Sequence, residues 1–370
     1  MRAAILEEQG KPLHVVDDLA VAEPGPGQVR VAVSHCGICH SDLGLIDAEN
    51  PAMQLPLVLG HEAAGVVERV GPGVAPEQLE PGDPVVLTPC PPCGACYWCV
   101  RAEPALCVNA NAILTSAFAD GSTGLSRNGE VVYRGLGVAG FAERVVTQST
   151  GAVKIPPDVP TEVACVIGCA VQTGVGAVLN TARVEEGASV LVMGAGGIGL
   201  SIVQGARLAG ASRILVSDPV AERRELAARL GATHLFDPTN EDVVSRALAE
   251  TGGIGVDYAF DAAGSAELVH AGIQAARKGG TIVLVGVVPL TQPVTISPAA
   301  LFGVQEKKLV GCILGSCHSL RDIPRFVALW RAGRLDLEAL ISARYPLERI
   351  NEALDEMRAR RGVRHVLAFR

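Results

Sequence analysis

The chain has 370 residues, 49% of them hydrophobic and only 19% charged, with a formal net charge of −8. That length suits two domains, and the apolar content supports a large buried core and argues against disorder. The acidic balance gives no electrostatic footing for nucleic acid, and no continuous apolar run reaches the ~18–20 residues of a membrane span.

The opening stretch, MRAAILEEQGKPLHVVDD, has no apolar segment behind a basic flank. It reads as a strand and a polar turn, not a secretory signal, and a cytoplasmic protein is expected. Up to about residue 165, short alternating strands such as QVRVAVSHC and AAGVVERVG are punctuated by PGPG at 24–27, GPG at 71–73 and PGD at 81–83. This predicts an irregular β-rich domain whose loops carry the unusual residues. From Cys165 onward the texture alternates: SVLVMG, GIGLSIVQGARLAG, RILVSD, PVAERRELAARLG, and so on to TIVLVGV. Short apolar runs alternating with amphipathic helices predict an α/β doubly wound domain with a parallel sheet. After about residue 305 come two helical stretches, LRDIPRFVALWRAG and LERINEALDEMRARRG, and a last strand, VRHVLAF, expected to rejoin the first domain. The expected division is therefore 1–170 with 306–370, and 171–305.

Eleven cysteines without a secretory signal do not suggest a disulfide framework. Cys93, Cys96, Cys99 and Cys107 form C-x2-C-x2-C-x7-C within a short lobe at about 90–108. Four thiolates at this spacing can close on one tetrahedral Zn2+, with an iron–sulfur cluster as the rival. Such a saturated zinc would be structural, and Cys90, just outside the pattern, reads as a bystander. Cys39, His61 and Cys169 are scattered; any one alone is more often a buried core residue than a ligand. Together they could form a Cys2His set with an open fourth position.

At 194–199, GAGGIG places Gly194, Gly196 and Gly199 in a G-x-G-x-x-G turn, with Gly197 inside it. It follows an apolar strand, opens a helix, and is followed by Asp218 at the end of the next strand, the context in which such a turn binds a dinucleotide. Asp218 would bind ribose hydroxyls and repel a 2′-phosphate, favouring NAD. Arg223 is the counter-argument for NADP, but it lies a helical turn beyond the strand end.

In their order, Cys39-His40-Ser41-Asp42, Gly60-His61-Glu62, the four-cysteine lobe, GCAVQT at 168–173, GAGGIG, Asp218 and VRHVLAF make the chain resemble the zinc-containing medium-chain dehydrogenase/reductase family over essentially its whole length. Within it, the likeness is to the long alcohol dehydrogenases with a structural zinc lobe. The resemblance implies a GroES-like catalytic domain, a Rossmann domain, two Zn2+ per subunit and NAD. Cys39, His61 and Cys169 would hold a catalytic zinc, and Asp42 and Glu62 would orient the ligands. Ser41 would pass the alcohol proton. His40 and Arg364 would contact the coenzyme pyrophosphate and Arg223 the adenosine ribose. Thr173, Ile198, Val285 and Val287 would lie near the nicotinamide. The implied activity is reversible hydride transfer between a small alcohol and its aldehyde or ketone. The long segment 108–140 resembles that of dimeric members, so a homodimer is expected.

One position departs from the pattern. Many members carry a His five residues after the first zinc cysteine; here it is Gly44, so the proton relay is expected to end at Ser41 and a ribose hydroxyl, or at water. The IGCAVQTGVGAVLNTA segment also looks like the thiol-adduct (formaldehyde-type) dehydrogenases, although VNANAI after Cys107 lacks the Arg expected of glutathione users. Permanently bound NAD and a non-catalytic, zinc-stapled NAD sensor are further alternatives. The substrate itself is not legible; Asn50, Met53 and Leu114 are candidates for its pocket.

Overall fold

A computed structural model describes residues 1–48, 50, 52–289 and 292–369. Two compact units emerge, Met1–Ala170 with Cys317–Arg370, and Val171–Ser316. Among the described residues, no single helix is long and apolar enough to cross a membrane.

The first unit is organised around one 11-residue strand, Gln28–Ile38. Glu62–Val70 pairs antiparallel along one side of it. Along the other side Arg144–Gln148 takes the first half and Arg364–Ala368 the second, both antiparallel. The sheet continues through Pro84–Leu87 and Ala152–Lys154 on one flank and Ile341–Pro346 on the other. Register shifts between Arg30 and Val31 and between Val33 and His35 bend the long strand, so the sheet curls. A smaller sheet, in the order Tyr133–Arg134, Leu57–Val58, Ala3–Leu6, His14–Val16, closes over the same apolar core. That core includes Ile5, Leu6, Val31, Ile38, Leu59 and Phe141, all essentially buried.

The second unit is a six-stranded parallel sheet in the order His234–Phe236, Arg213–Ser217, Ser189–Met193, Val256–Asp261, Ala276–Leu284, Lys308–Gly311. Counted along the chain, this is 3-2-1-4-5-6, the doubly wound order that places a ligand crevice beyond the carboxyl ends of strands one and four. Its first strand, SVLVM, is buried at every position, as a strand covered on both faces must be. Two of its helices begin where a polar side chain satisfies a free amide: Asp242 accepts from Ser245 N–H before Val243–Glu250, and Ser265 from Leu268 N–H before Ala266–Ala275.

The chain returns to the first unit at Cys317, later than the change of texture at 305/306 suggests. The reason is Lys308–Gly311: this short stretch pairs with Thr281–Leu284 as the sixth parallel strand. Four residues at a sheet edge carry too little periodicity to be read from sequence.

Candidate functional site

Strand register brings the scattered residues of the first unit together. Gly37 and Glu62 are partners across the antiparallel pair, and Ile38 faces His365 on the neighbouring strand. Cys39 and His61 therefore leave the same end of one strand pair, with Arg364 beside them. Cys169 follows the turn Cys165–Gly168, which packs against the strand carrying Glu62. Potential ligand atoms of Cys39, His61, Cys169 and also Glu62 all lie within 4.8 Å of one another.

Asp42 holds this arrangement. It sits in the first turn of the helix His40–Asp47 and is fully buried. Its Oδ2 accepts from Cys39 N–H at 3.0 Å, and its Oδ1 accepts from Gly60 N–H at 2.9 Å and faces His61 Nδ1 at 3.1 Å. A ring with Nδ1 so engaged presents Nε2 to the group, the usual way a carboxylate orients a metal-binding imidazole. Ser41 Oγ lies 3.9 Å from Cys39 Sγ.

Glu62 occupies a cleft that only glycine leaves open: a Cβ at Gly37 would stand 2.4 Å from Glu62 Oε2. Its Oε1 accepts from Ala170 N–H at 3.1 Å, and Oε2 faces Arg364 Nε at 3.2 Å. Arg364, 2% exposed, also donates from Nη1 to the Ile38 carbonyl at 2.7 Å. Burial pushes the Glu62 carboxyl up to about 7 against the opposing Arg364 charge. For His61 burial disfavours charge, but Asp42 and Cys39 outweigh it and hold the imidazole well above its ordinary pKa. The Cys39 thiol is held well below its usual value by a hydrogen bond from Cys169 and by Arg364, while the donor Cys169 is pushed well above. Two thiols, an imidazole and a carboxylate sharing protons at such range form a donor set suited to a divalent cation such as zinc.

The four-cysteine lobe converges as its spacing predicts. Ligand atoms of Cys93, Cys96, Cys99 and Cys107 lie within 4.8 Å of one another, and none of the cysteines is disulfide-bonded. Cys93 and Cys99 sulfurs are 4.0 Å apart, Cys96 and Cys107 sulfurs 3.9 Å. The edge of a tetrahedron built from 2.3 Å zinc–sulfur bonds is about 3.8 Å, so the cage fits that ion. Backbone N–H groups of Cys93 and Asn109 donate to Cys107 Sγ, and that of Cys96 to Cys93 Sγ, bonds that would stabilise metal-bound sulfur. Cys90 stands apart, buried, its thiol pushed up to about 12 by burial.

In the second unit Gly194 adopts φ +97° directly after the first strand, and a Cβ on Gly199 would stand 1.8 Å from the Gly194 carbonyl. Gly196 faces open space, where a side chain would fill the cradle at the start of the helix Gly197–Leu208. The exposed N–H groups and positive end of that helix suit a pyrophosphate. Asp218 is 3% exposed and accepts from Ala195 N–H at 2.7 Å and Val220 N–H at 2.8 Å, one bond per oxygen. Each oxygen keeps acceptor capacity for a sugar hydroxyl.

The other expected residues occupy varied surroundings. Thr173, 6% exposed, lies on the helix Ala170–Gly176, which packs against the helix Gly197–Leu208 so closely that a Cβ at Gly174 would meet Ser201 and the Ile198 carbonyl. Ile198 is half-buried. Val285 is buried and Val287 80% exposed, just beyond the fifth strand. His40 is exposed at the start of its helix, and Arg223 is half-buried on the helix Ala221–Leu230. Met53 packs against the first unit's core, while Leu114 is 87% exposed. Sequence reasoning named Glu62 as orienting Cys39, His61 and Cys169, but had no access to its pairing with Arg364 or to the space left by Gly37. Strand register is what joins them.

Two family profiles match the chain: "Alcohol dehydrogenase GroES-like domain" over residues 25–157 and "Zinc-binding dehydrogenase" over 197–330. The S-(hydroxymethyl)glutathione dehydrogenase of Synechocystis sp. is 36% identical over all of this chain and 99% of its own. An alcohol dehydrogenase zinc-binding domain protein from Burkholderia ambifaria superposes with a TM-score of 0.93 at 35% identity, over 100% of this chain and 98% of its own. Benzyl alcohol dehydrogenase from Acinetobacter calcoaceticus gives 0.92 at 32%, over 100% and 99%. Less similar solved structures, from Sinorhizobium meliloti and Escherichia coli, hold NADP and NADH respectively.

Asp42→Ala is expected to leave the Cys39 and Gly60 amides unpaired in a buried place, at about 1–3 kcal/mol each. Its thermal midpoint should fall by several degrees, whereas Asp120→Ala, on the surface, should leave it within about one degree. Equal midpoints for the two variants in a calorimetric scan would remove Asp42 from its organising role.

Proposed function

The chain belongs to the zinc-binding medium-chain dehydrogenase family, and from that premise we propose that it is an NAD-dependent alcohol dehydrogenase with one catalytic and one structural zinc. The observation that carries the reading is the convergence of Cys39, His61 and Cys169, oriented by Asp42 and Glu62, in a chain that also carries the Gly194–Gly199 turn and Asp218. Loaded with zinc and NAD, such a protein has a Lewis acid for the substrate oxygen and a hydride acceptor for its carbon.

The chain's own groups then have these tasks. Asp42 fixes the His61 tautomer and the turn carrying Cys39. Glu62, through Ala170 N–H, positions the residue after Cys169, and the Arg364 charge beside it favours thiolate at Cys39. Ser41 Oγ, next to Cys39, would accept the alcohol proton as its own hydroxyl proton passes to a coenzyme ribose hydroxyl or to water; position 44, exposed one turn on, is glycine and offers no imidazole to extend that relay. Gly196 admits the pyrophosphate, and Asp218 accepts from the adenosine ribose and disfavours a 2′-phosphate. Thr173, Ile198, Val285 and Val287 are assigned to the nicotinamide, and His40, Arg223 and Arg364 to the rest of the coenzyme.

A second substrate reading, S-(hydroxymethyl)glutathione, is supported by the curated relatives at 36% identity. The 32% likeness to a benzyl alcohol dehydrogenase and the lack of an Arg after Cys107 favour a simple alcohol. Turnover with NAD on benzyl alcohol, short aliphatic alcohols and S-(hydroxymethyl)glutathione decides between them, and activity on the adduct alone would overturn the first reading. We also assign the chain to a homodimer formed through the open edge of Lys308–Gly311, which ends the parallel sheet; exposed Leu301, Val304 and Ile313 flank it in sequence. Val304→Glu should then shift the sedimenting mass from dimer toward monomer, and a wild-type protein that sediments as a monomer refutes the assignment.

The two metal roles separate by mutation. Cys39→Ala should lose one zinc per subunit and nearly all turnover while still binding NADH. Cys96→Ser should lose the other zinc and depress the thermal midpoint more than the chemical step, because a structural site contributes folding free energy. Full zinc content in an active Cys39→Ala protein would end the catalytic assignment. For the relay, Ser41→Ala is expected to cut turnover about 10²–10⁴-fold with zinc and NADH binding intact. A Cβ at Gly44 meets nothing within 4 Å, so Gly44→His is sterically free and should move the alcohol-oxidation profile toward lower pH. Near-normal turnover of Ser41→Ala across the pH profile would show that the proton leaves by another route.

A further inference from the structure

One side chain ties together the carboxyl ends of the second and third strands of the parallel sheet. Arg224, on the helix Ala221–Leu230, donates from Nη1 to the Asp218 carbonyl at 2.6 Å and from Nη2 to Asp237 Oδ2 at 3.1 Å. Both partners stand one residue past a strand, and those strands end in the register pair Ser217 and Phe236. The link therefore lies on the side of the sheet where Asp218 faces the glycine turn through Ala195 N–H.

The pair is partly shielded, at 17% and 24% side-chain exposure. Asp237 is itself held in place. Its Oδ1 accepts from the Thr239 hydroxyl at 2.6 Å and amide at 3.0 Å, and its Oδ2 also accepts from Asn240 Nδ2 at 3.3 Å. Asp237 can neither swing away nor lose its charge easily, since these Thr239 bonds, with the Arg224 charge, also lower its pKa.

We propose that the Arg224–Asp237 pair is a second determinant of coenzyme choice, with Asp237 withholding the Arg224 charge from the ribose side of Asp218. The proposal rests on the NAD reading above. A 2′-phosphate adds nearly two negative charges next to the Asp218 carboxylate. A guanidinium bonded to the carbonyl of that same residue is well placed to meet those charges. It is bonded to Asp237 instead, so its charge is already opposed by that carboxylate. Arg224 is thus a positioning residue, and Asp237 the acidic group that makes it unavailable.

The test is fluorescence titration of the purified protein with NADH and with NADPH, comparing wild type, Asp237→Asn and Arg224→Met. Wild type should bind NADH more tightly. Asp237→Asn keeps hydrogen-bonding capacity but frees the Arg224 charge, and should tighten NADPH about tenfold with NADH changed less than about twofold. Arg224→Met should move the ratio the opposite way, weakening NADPH more than NADH, because Asp237 is left as an unpaired carboxylate. A merely structural link would weaken both coenzymes in parallel in both variants, and that result, or an unmoved ratio, overturns the proposal. Asp237→Ser serves as a second probe should the Asn variant fold poorly. Asp218→Gly separates this inference from the reading beneath it. If Asp218→Gly narrows the NADH preference while the Asp237 variants do not, the NAD reading stands and the proposal falls; a wild-type preference for NADPH removes both.

Discussion

A single buried carboxylate carries an unusual share of this protein's organisation. Asp42 is closed off from solvent, and its two oxygens engage two backbone amides and a ring nitrogen from segments nearly twenty residues apart. A buried charge is tolerable only when so satisfied. Once it is, the satisfaction runs both ways: the helix His40–Asp47 begins where it must, and the turn before Glu62–Val70 is pinned. The His61 ring presents one defined nitrogen. On the other side of the group Arg364 and Glu62 form a buried ion pair, with Nε and Oε2 3.2 Å apart and not hydrogen-bonded to each other. The candidate metal group is thus held in place by buried charged side chains that face one another.

The two candidate metal groups show how the same ligand chemistry serves different ends. In the Cys93–Cys107 lobe every candidate donor is a cysteine sulfur, the four are close in sequence, and amides of the same loop donate to the sulfurs of Cys93 and Cys107. Closing so short a loop costs little chain entropy, so the cage can be local. The Cys39, His61, Cys169 set is drawn from three remote segments and ringed by titrating groups whose pKa values are displaced in opposite directions. Displacement of that kind, in a group that can bind a cation, belongs with chemistry more than with stapling. In the second unit the glycine turn is instead a matter of space. Gly199 is required because backbone lies under it, whereas a Cβ at Gly196 would meet nothing.

Much of this was legible in one dimension. The cysteine spacing foretold a convergent cage, because seven-residue loops cannot carry the donors far apart. GAGGIG between an apolar strand and a helix, with Asp218 following the next strand, foretold the turn and its carboxylate partner, since a βαβ unit imposes that spacing. Both fold layers were visible as a change of period. Less visible were Lys308–Gly311, too short to show a pattern, and the true return of the chain at Cys317. Arg364 illustrates the limit: the closing VRHVLAF reads as a strand, but that its arginine faces Glu62 depends on which strand it joins and in what register.

What the sequence by itself determined is therefore whatever local spacing compels: the four-cysteine lobe, the glycine turn, the alternation of strands and helices, and the order of the motifs. Tertiary structure alone decided which remote residues meet. The pairing of Gly37 with Glu62 and of Ile38 with His365 aims Cys39, His61 and Arg364 at one point, and a slip of one residue would turn each of them to the opposite face. Likewise Arg224 finds Asp237 only because the second and third strands end level, at Ser217 and Phe236. Spacing along the chain is a property of the sequence, but register is settled by the packing of the whole sheet, and in this protein the chemistry of the site follows from register.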